Sequence, residues 1–364
     1  MDTEVKISGR QFTILVFMNV LGTAIIIGPS IATSFGKENG WISVFIATLI
    51  GIGIVLIYNQ LFKINEKKDL FQLMEFVYGK WIGKVISLVF ILLIFFVAAG
   101  NLRGMGDFIA TQILVGTPME VILLLTILTC LIGVRMGLEV LGRTSEIFFP
   151  YTFISLVMLL VFVIPGAEMK KIQPILQTNI ADMFAGVIPL IGYPFLELII
   201  LLAIMKYVNR PENARKGFLV GVTLGGITLT IITFMCLVIL GVDFTIRNTY
   251  PTYVLGKKIS IADFLERIEI VVAIVWFFTI FFKITVTFYV LALGASRVLS
   301  LKSYKTLTIP LAYLLVVFAV VLAPNVIYYN QFLTSTWIPL SITVGLIIPL
   351  LTLSVGIIRK SRKN

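Results

Sequence analysis

Long apolar runs separated by short charged connections fill this chain from end to end. A helix needs about 20 predominantly apolar residues to cross the hydrocarbon core of a bilayer. Ten runs meet that length, at roughly 11–35, 40–62, 85–115, 119–138, 145–165, 183–206, 217–241, 268–295, 307–324 and 335–358. They predict an all-α membrane protein of ten transmembrane helices, numbered here as spans 1 to 10. Almost nothing is left for a soluble domain, so residues 1–364 are expected to form a single integral membrane domain. The polar start before span 1 leads to no small-residue cleavage site, which argues against a removed signal peptide.

The polar connections carry a second pattern. After span 1 the longest are residues 63–84, between spans 2 and 3, and 242–267, between spans 7 and 8. They occupy the same place in two sets of five spans, and because five is odd the second set crosses the membrane upside down. The pattern predicts a five-plus-five inverted repeat, with repeats at roughly 11–165 and 183–358. Each long connection holds a stretch suited to a short interfacial helix, DLFQLMEFVYGKWIGKV in one and ISIADFLERI in the other.

The first span of each half is interrupted. Span 1 contains LGTAIIIGPS, with Gly22, Thr23, Gly28 and Pro29, and span 6 contains IPLIGYPFLELIILLAIM, with Pro189, Gly192 and Pro194. Proline removes a helical hydrogen bond and clashes with the preceding turn, and glycine costs about 1 kcal/mol relative to alanine in a helix interior. In lipid, freed backbone groups are tolerated only where protein or a water-filled cavity satisfies them. The matched breaks in spans 1 and 6 therefore predict a polar ligand site near mid-membrane, built of exposed backbone groups and half-helix dipole ends.

Composition removes several alternatives. With 59% hydrophobic residues, 13% charged and a mean hydropathy of +1.06, the chain is a membrane protein and not a soluble one. The net charge of +11 is asymmetric: with the N-terminus cytoplasmic, the inner side holds 20 Lys and Arg and the outer side 7. That is the positive-inside bias, with both termini cytoplasmic; it orients the protein in membrane lipid and implies no nucleic-acid partner. Cys130 and Cys236 lie in apolar spans, where they behave as small hydrophobes. The absence of histidine removes imidazole-based metal sites, triads and proton relays. No nucleophile stands with a base, and there is no phosphate loop or metal-ligand spacing, so neither enzyme activity, nor a cofactor, nor a metal is expected.

Ionisable residues within spans are costly and mark functional sites by default. Lys283 lies midway along span 8, in WFFTIFFKITVTFYV, too deep to snorkel. It is either part of the site or a buried partner for Glu197 or Asp107 that fixes packing. Glu197 follows the span-6 break by three residues, in the first turn of a half-helix whose dipole favours its charge. It either receives a ligand amine or braces the unwound backbone. Arg103 and Asp107 are four apart on one face of span 3 and are expected to pair, structurally or as an outer gate. Phe95, Phe96, Gly100 and Asn101 of span 3, with Tyr193 and Phe195 of span 6, are placed to line a pocket. Thr285 and Thr287 flank Lys283, with hydroxyls suited to bonding back to their own helix.

Ten spans in an inverted arrangement, with breaks in the first and sixth, resemble the amino acid–polyamine–organocation transporter superfamily. Within it, the stretches QFTILVFMNVLGTAIIIGPSIA and PLIGYPFLELIILLAIMKYVNRPENARKG, the length and the basic tail resemble the B subunit of bacterial spore germinant receptors. The resemblance implies a sensor in the inner membrane of the spore, beside an A subunit and a lipid-anchored C subunit. It binds a small-molecule nutrient, often an amino acid, and triggers germination. On matching positions the span-1 turn falls on Gly22, Thr23 and Ala24, with Pro29 the later proline, and the span-6 motif on Gly192 and Glu197. Ala24 stands where many of these transporters have a second glycine, which favours a tight turn over an unwound strand. A fixed ammonium at Lys283 can replace the sodium ion that related transporters bind between spans 1 and 8, holding the broken helix through its carbonyls. Ligand-binding candidates are thus Gly22, Thr23, Ala24, Phe96, Gly100, Asn101, Gly192, Tyr193, Phe195, Glu197, Lys283 and Thr287. A sodium-independent, proton-coupled amino acid transporter of the same fold is the alternative, and a channel-forming or scaffolding subunit a third class.

Overall fold

Span 1 starts at a capping box, in which the Ser8 hydroxyl accepts from the Gln11 N–H at 3.1 Å and the Gln11 side chain accepts from the Ser8 N–H at 2.9 Å. The computed structural model describes residues 6–174, 179–258 and 269–361. The first half-helix, span 1a, runs Gly9–Leu21 and stops at Gly22, whose φ of 20° and ψ of −122° leave the helical region. Span 1b resumes at once over Ala24–Gly36. The break is therefore a two-residue turn at Gly22 and Thr23.

Gly28 and Pro29, expected within the interruption, lie inside span 1b. The reason is a substitute hydrogen bond. Proline has no N–H to give the carbonyl four residues back, and that carbonyl, on Ile25, accepts the buried Thr252 hydroxyl at 2.6 Å. Thr252 belongs to the helix Pro251–Lys257 in the connection after span 7. Replacing Thr252 with Val keeps the shape and strands the Ile25 carbonyl, so thermal unfolding in detergent should show a loss of about 1–3 kcal/mol.

Among the described residues, nine helices are long and apolar enough to cross a membrane. The first of these, Ala24–Ile64, turns at Lys37–Asn39 and so holds span 1b and span 2, Gly40–Ile64. The difference from ten apolar runs lies in span 1. Each of its halves has 13 residues and rises about 20 Å, short of the ~30 Å hydrocarbon core.

Span 3 is Lys80–Phe108, extended by a π-turn at Ile109–Ile113. Spans 4, 5, 7, 8 and 9 are Met119–Met136, Leu138–Val163, Pro211–Leu240, Glu269–Val298 and Thr308–Val321. Span 10 starts at Trp337–Ile342, passes a π-turn and continues as Ile348–Ser361. Short helices occur where the two long connections fall, at Leu70–Tyr78 and at Val242–Arg247 and Pro251–Lys257. The ISIADFLERI segment lies outside the described residues.

Span 6 breaks more widely than span 1. A helix Ile180–Leu190 gives way to a π-turn at Ile191–Phe195, in which Tyr193 is extended at φ −143° and ψ 108°. Tight 3-10 turns follow over Leu196–Leu201. Tyr58 of span 2 is fully buried beside the break, and its hydroxyl sits 2.6 Å from the Gly345 carbonyl in the span-10 π-turn and 3.2 Å from the Leu196 carbonyl. One side chain thus serves carbonyls freed in two irregular helices, as membrane burial requires.

Span 1a approaches span 7 across a ridge of small residues. Gly217, Gly221 and Gly225 recur every four residues, and a Cβ added at Gly221 would fall 2.6 Å from the Cβ of Val16. Small residues at this spacing let membrane helices pack backbone to backbone. The ridge holds span 1a in place, so that its broken end meets spans 3, 6 and 8.

Candidate functional site

The two breaks meet at span 8. The aliphatic stem of Lys283 lies against the span-1 turn, where a Cβ on Gly22 would come within 2.4 Å of its Cδ. Its ammonium reaches past span 1 to Glu197, with Nζ 2.8 Å from Oε2. The contact is an ion pair by distance, but its angles fall outside hydrogen-bond geometry. The ring of Tyr193 completes the shell, 4.8 Å from Nζ, as a cation–π contact. Lys283 and Glu197 are 1% and 6% exposed, so each charge depends on the other.

The sequence leaves the Lys283 ammonium two kinds of acceptor, the span-1 carbonyls and the carboxylate of Glu197 or Asp107. The structure gives it Glu197, an acceptor carrying a full charge, and gives Gly22 the lysine's stem. Glu197 sits in the first turn of the Leu196–Leu201 segment, where the positive dipole end suits a carboxylate.

Thr23 ties the span-1 turn to span 3. Its hydroxyl lies 2.6 Å from Oδ1 of Asn101, whose amide donates to the Val97 carbonyl at 2.7 Å. Phe96, Gly100, Asn101, Tyr193 and Glu197 share one small cavity. Thr287 lies one turn beyond Lys283 on span 8 and its buried hydroxyl makes no hydrogen bond among the described residues, unlike Thr285, which bonds back to the Phe281 carbonyl at 2.7 Å. Ala24 is fully buried as the first residue of span 1b.

Two residues expected in the pocket turn elsewhere. The Phe195 ring packs on span 2, where a Cβ on Gly51 would lie 2.4 Å from Cδ1. Gly192 faces span 10, where a Cβ would stand 2.9 Å from the Ser341 hydroxyl. The extended Tyr193 between them breaks the helical register, so these neighbours point away from the cavity while Tyr193 points in.

Arg103 and Asp107 form the expected pair, with Nε 2.9 Å from Oδ2, both buried. Arg103 also donates to the carbonyls of Val320 at 3.1 Å and Ala319 at 3.3 Å, at the end of span 9. A cation there satisfies groups the helix leaves open and complements its dipole. The pair is thus bound into the packing of spans 3 and 9, apart from the Lys283 cluster.

One wall was missed by sequence reasoning. The helix Val326–Thr334, between spans 9 and 10, places Tyr329, Phe332 and Leu333 at the cavity, and Trp337 at the start of span 10 adds an indole. Tyr329 donates its hydroxyl to the Gly100 carbonyl at 2.7 Å. The readable signal was NVIYYNQF: Asn325 caps the helix by accepting from the Tyr328 N–H at 2.9 Å, and aromatics follow at helical spacing.

The cavity is narrow, with about 10 Å³ free, room for about one water. A second space of similar size lies between Thr23, Asp107 and Trp276, and Tyr329 borders both. Beyond it, between span 1b and the Val326–Thr334 helix, lies a wider cavity of about 320 Å³ lined by Ser30, Ser34, Thr249 and Asn330. On the N-terminal face the chain is tied shut. Ile7 exchanges backbone hydrogen bonds of 2.9 Å with Tyr207 and Asn209 after span 6, and Lys206 pairs with buried Asp69 at 2.8 Å.

The helix bundle whose first and sixth spans break around one buried polar cluster has the fold of solved membrane transporters. Two solved structures share the fold. MhsT in complex with L-phenylalanine matches with a TM-score of 0.68 and 16% identity, over 94% of this chain and 89% of that one. Mhp1, a nucleobase-cation-symport-1 family transporter in a closed conformation with bromovinylhydantoin bound, matches with a TM-score of 0.68 and 13% identity, over 94% of this chain and 78% of that one. The model of the spore germination protein family matches residues 6–327, and the chain belongs to that family. It is similar to spore germination protein KB of Bacillus subtilis (strain 168), 22% identical over 99% of this chain and 97% of that protein. The family is receptor- and permease-like and not an enzyme family.

Proposed function

We propose that this chain is the nutrient-binding subunit of a spore germinant receptor, taking an amino acid at the breaks of spans 1 and 6. The Lys283–Glu197 pair carries the reading: two opposite charges, 2.8 Å apart and buried at the meeting point of both breaks. Their net charge is zero, which suits a zwitterion that brings none. The first backbone N–H groups of span 1b and the Thr23 and Tyr193 hydroxyls supply further polar contacts. The chain acts as a single integral domain of two inverted repeats, in the spore inner membrane with both termini cytoplasmic. Its partners are an A subunit and a lipid-anchored C subunit, and it catalyses no reaction.

Likeness to a symporter fold favours a second reading, a sodium-independent amino acid transporter. One experiment separates the two. Spores lacking their other receptors, and expressing this chain with its partner subunits, are exposed to single amino acids, and reconstituted protein is assayed for uptake of the same compounds. Germination with no concentrative uptake, abolished by Glu197→Gln and equal in sodium and potassium, is the expected result. Concentrative uptake by the isolated chain, with no germination response to any of the amino acids, favours the transporter.

A further inference from the structure

Spans 3 and 6 supply the polar half of the cavity, with Lys283 of span 8 paired to its Glu197, and the other half comes from outside them. Phe332 and Leu333 project from the helix Val326–Thr334 and Trp337 from the start of span 10, with the Phe332 and Trp337 rings 6.3 Å apart. Leu333 and Trp337 are 5% and 2% exposed, so this wall belongs to the interior. Tyr329, 4% exposed, fastens it to span 3 through the Gly100 carbonyl at 2.7 Å. The indole N–H of Trp337 is buried and has no acceptor among the described residues. The two halves differ in chemistry: a neutral pair of charges with Asn101 on one side, aromatic and aliphatic carbon on the other.

We propose that this connection between spans 9 and 10 is the specificity wall of the site: Phe332 and Trp337 receive the side chain of a net-neutral amino acid and set the size accepted. The proposal rests on the ligand site inferred above. A ligand held at Glu197 and Asn101 by its charged ends turns its side chain toward the remaining surface, which is apolar. Because the cavity leaves about 10 Å³, the wall has to move outward to admit any side chain. Tyr329 is the positioning residue that returns it, through its hydrogen bond to the Gly100 carbonyl.

The test measures affinities of the purified full chain for glycine, L-alanine, L-valine, L-leucine, L-phenylalanine and L-tryptophan. Trp337→Ala is expected to raise the affinity for the larger side chains relative to L-alanine by about 10-fold or more, the scale on which apolar pockets discriminate. Phe332→Ala, an independent variant should the first fail to fold, should shift the ratio the same way. Tyr329→Phe keeps the ring and removes the fastening, and should change all affinities by one common factor while leaving their rank unaltered. Glu197→Gln should abolish binding throughout. If Glu197→Gln abolishes binding while both wall variants leave the ratios within about twofold, the wall is overturned and the site survives. If Glu197→Gln leaves every affinity unchanged, or the parent protein binds none of the panel, the site reading falls and the wall with it.

Discussion

Lys283→Met is expected to destabilise the protein by about 3–5 kcal/mol, the cost of leaving one partner of a buried ion pair uncompensated. The substitution keeps the length and much of the apolar bulk that rests on Gly22, so the loss reports the ammonium. Glu197, 6% exposed, then has no cation within the cavity and must take up a proton or unfold its segment. The signature of the pair is the double variant. Adding Glu197→Gln to Lys283→Met removes the stranded charge and should recover much of the stability without restoring a ligand response. Thermal unfolding in detergent gives the first quantity and spore germination the second. Equal stability of parent and Lys283→Met would show that the 2.8 Å contact contributes nothing.

The second large effect falls on Gly22. A Cβ there would stand 2.4 Å from Lys283 Cδ, and the residue's φ of 20° suits glycine alone. A stem pinned by its own ion pair cannot swing aside cheaply. Gly22→Leu should therefore force the lysine away from Glu197 and abolish the response while the protein still reaches the membrane. The milder Gly22→Ala tests the mechanism through a cycle. Its cost should fall in a Lys283→Ala background, with a coupling of about 1–3 kcal/mol. Independent, additive effects of Gly22→Ala and Lys283→Ala on the melting transition would refute a direct contact between turn and lysine.

The parts legible in the sequence are those where membrane burial makes a residue costly. Lys283 and Glu197 stood out because charge in a span needs a reason, and Gly22 and Pro194 because they interrupt helices. Pro29 was misplaced into the break because its cost is met from outside its own span, by a hydroxyl on Thr252 more than 200 residues away, a compensation no local pattern carries. Gly192 and Phe195 were misdirected for another reason. A regular helix turns 100° per residue, but the span-6 break mixes π and 3-10 turns with an extended Tyr193, so spacing no longer predicts facing. Tyr329 escaped because a short capped helix between two spans reads as an ordinary connection until its neighbours are known, and Trp337 because an aromatic at the start of an apolar span does not say which way it faces. The span count differed from nine to ten at one point only, where the Gly22 turn divides an apolar run into halves too short to qualify alone.

Occupancy of the cavity can be measured directly by chemical protection. Phe96 borders the cavity shared by Asn101 and Glu197 and packs edge-on against Phe318, with ring centroids 5.1 Å apart, so Phe96→Cys places a reporter at the cavity at the cost of one aromatic contact and no hydrogen bond. Cys130 and Cys236 are buried and are replaced by Ala to silence them. The rate at which a small thiol reagent modifies the new cysteine in intact membranes is recorded with and without the amino acid that triggers germination. A ligand seated at the two breaks covers this position, and a saturating amino acid is predicted to slow modification by about 10-fold or more, with no slowing in Glu197→Gln. A rate unchanged by a saturating, germination-active amino acid would contradict the placement of the ligand between spans 1, 3, 6 and 8.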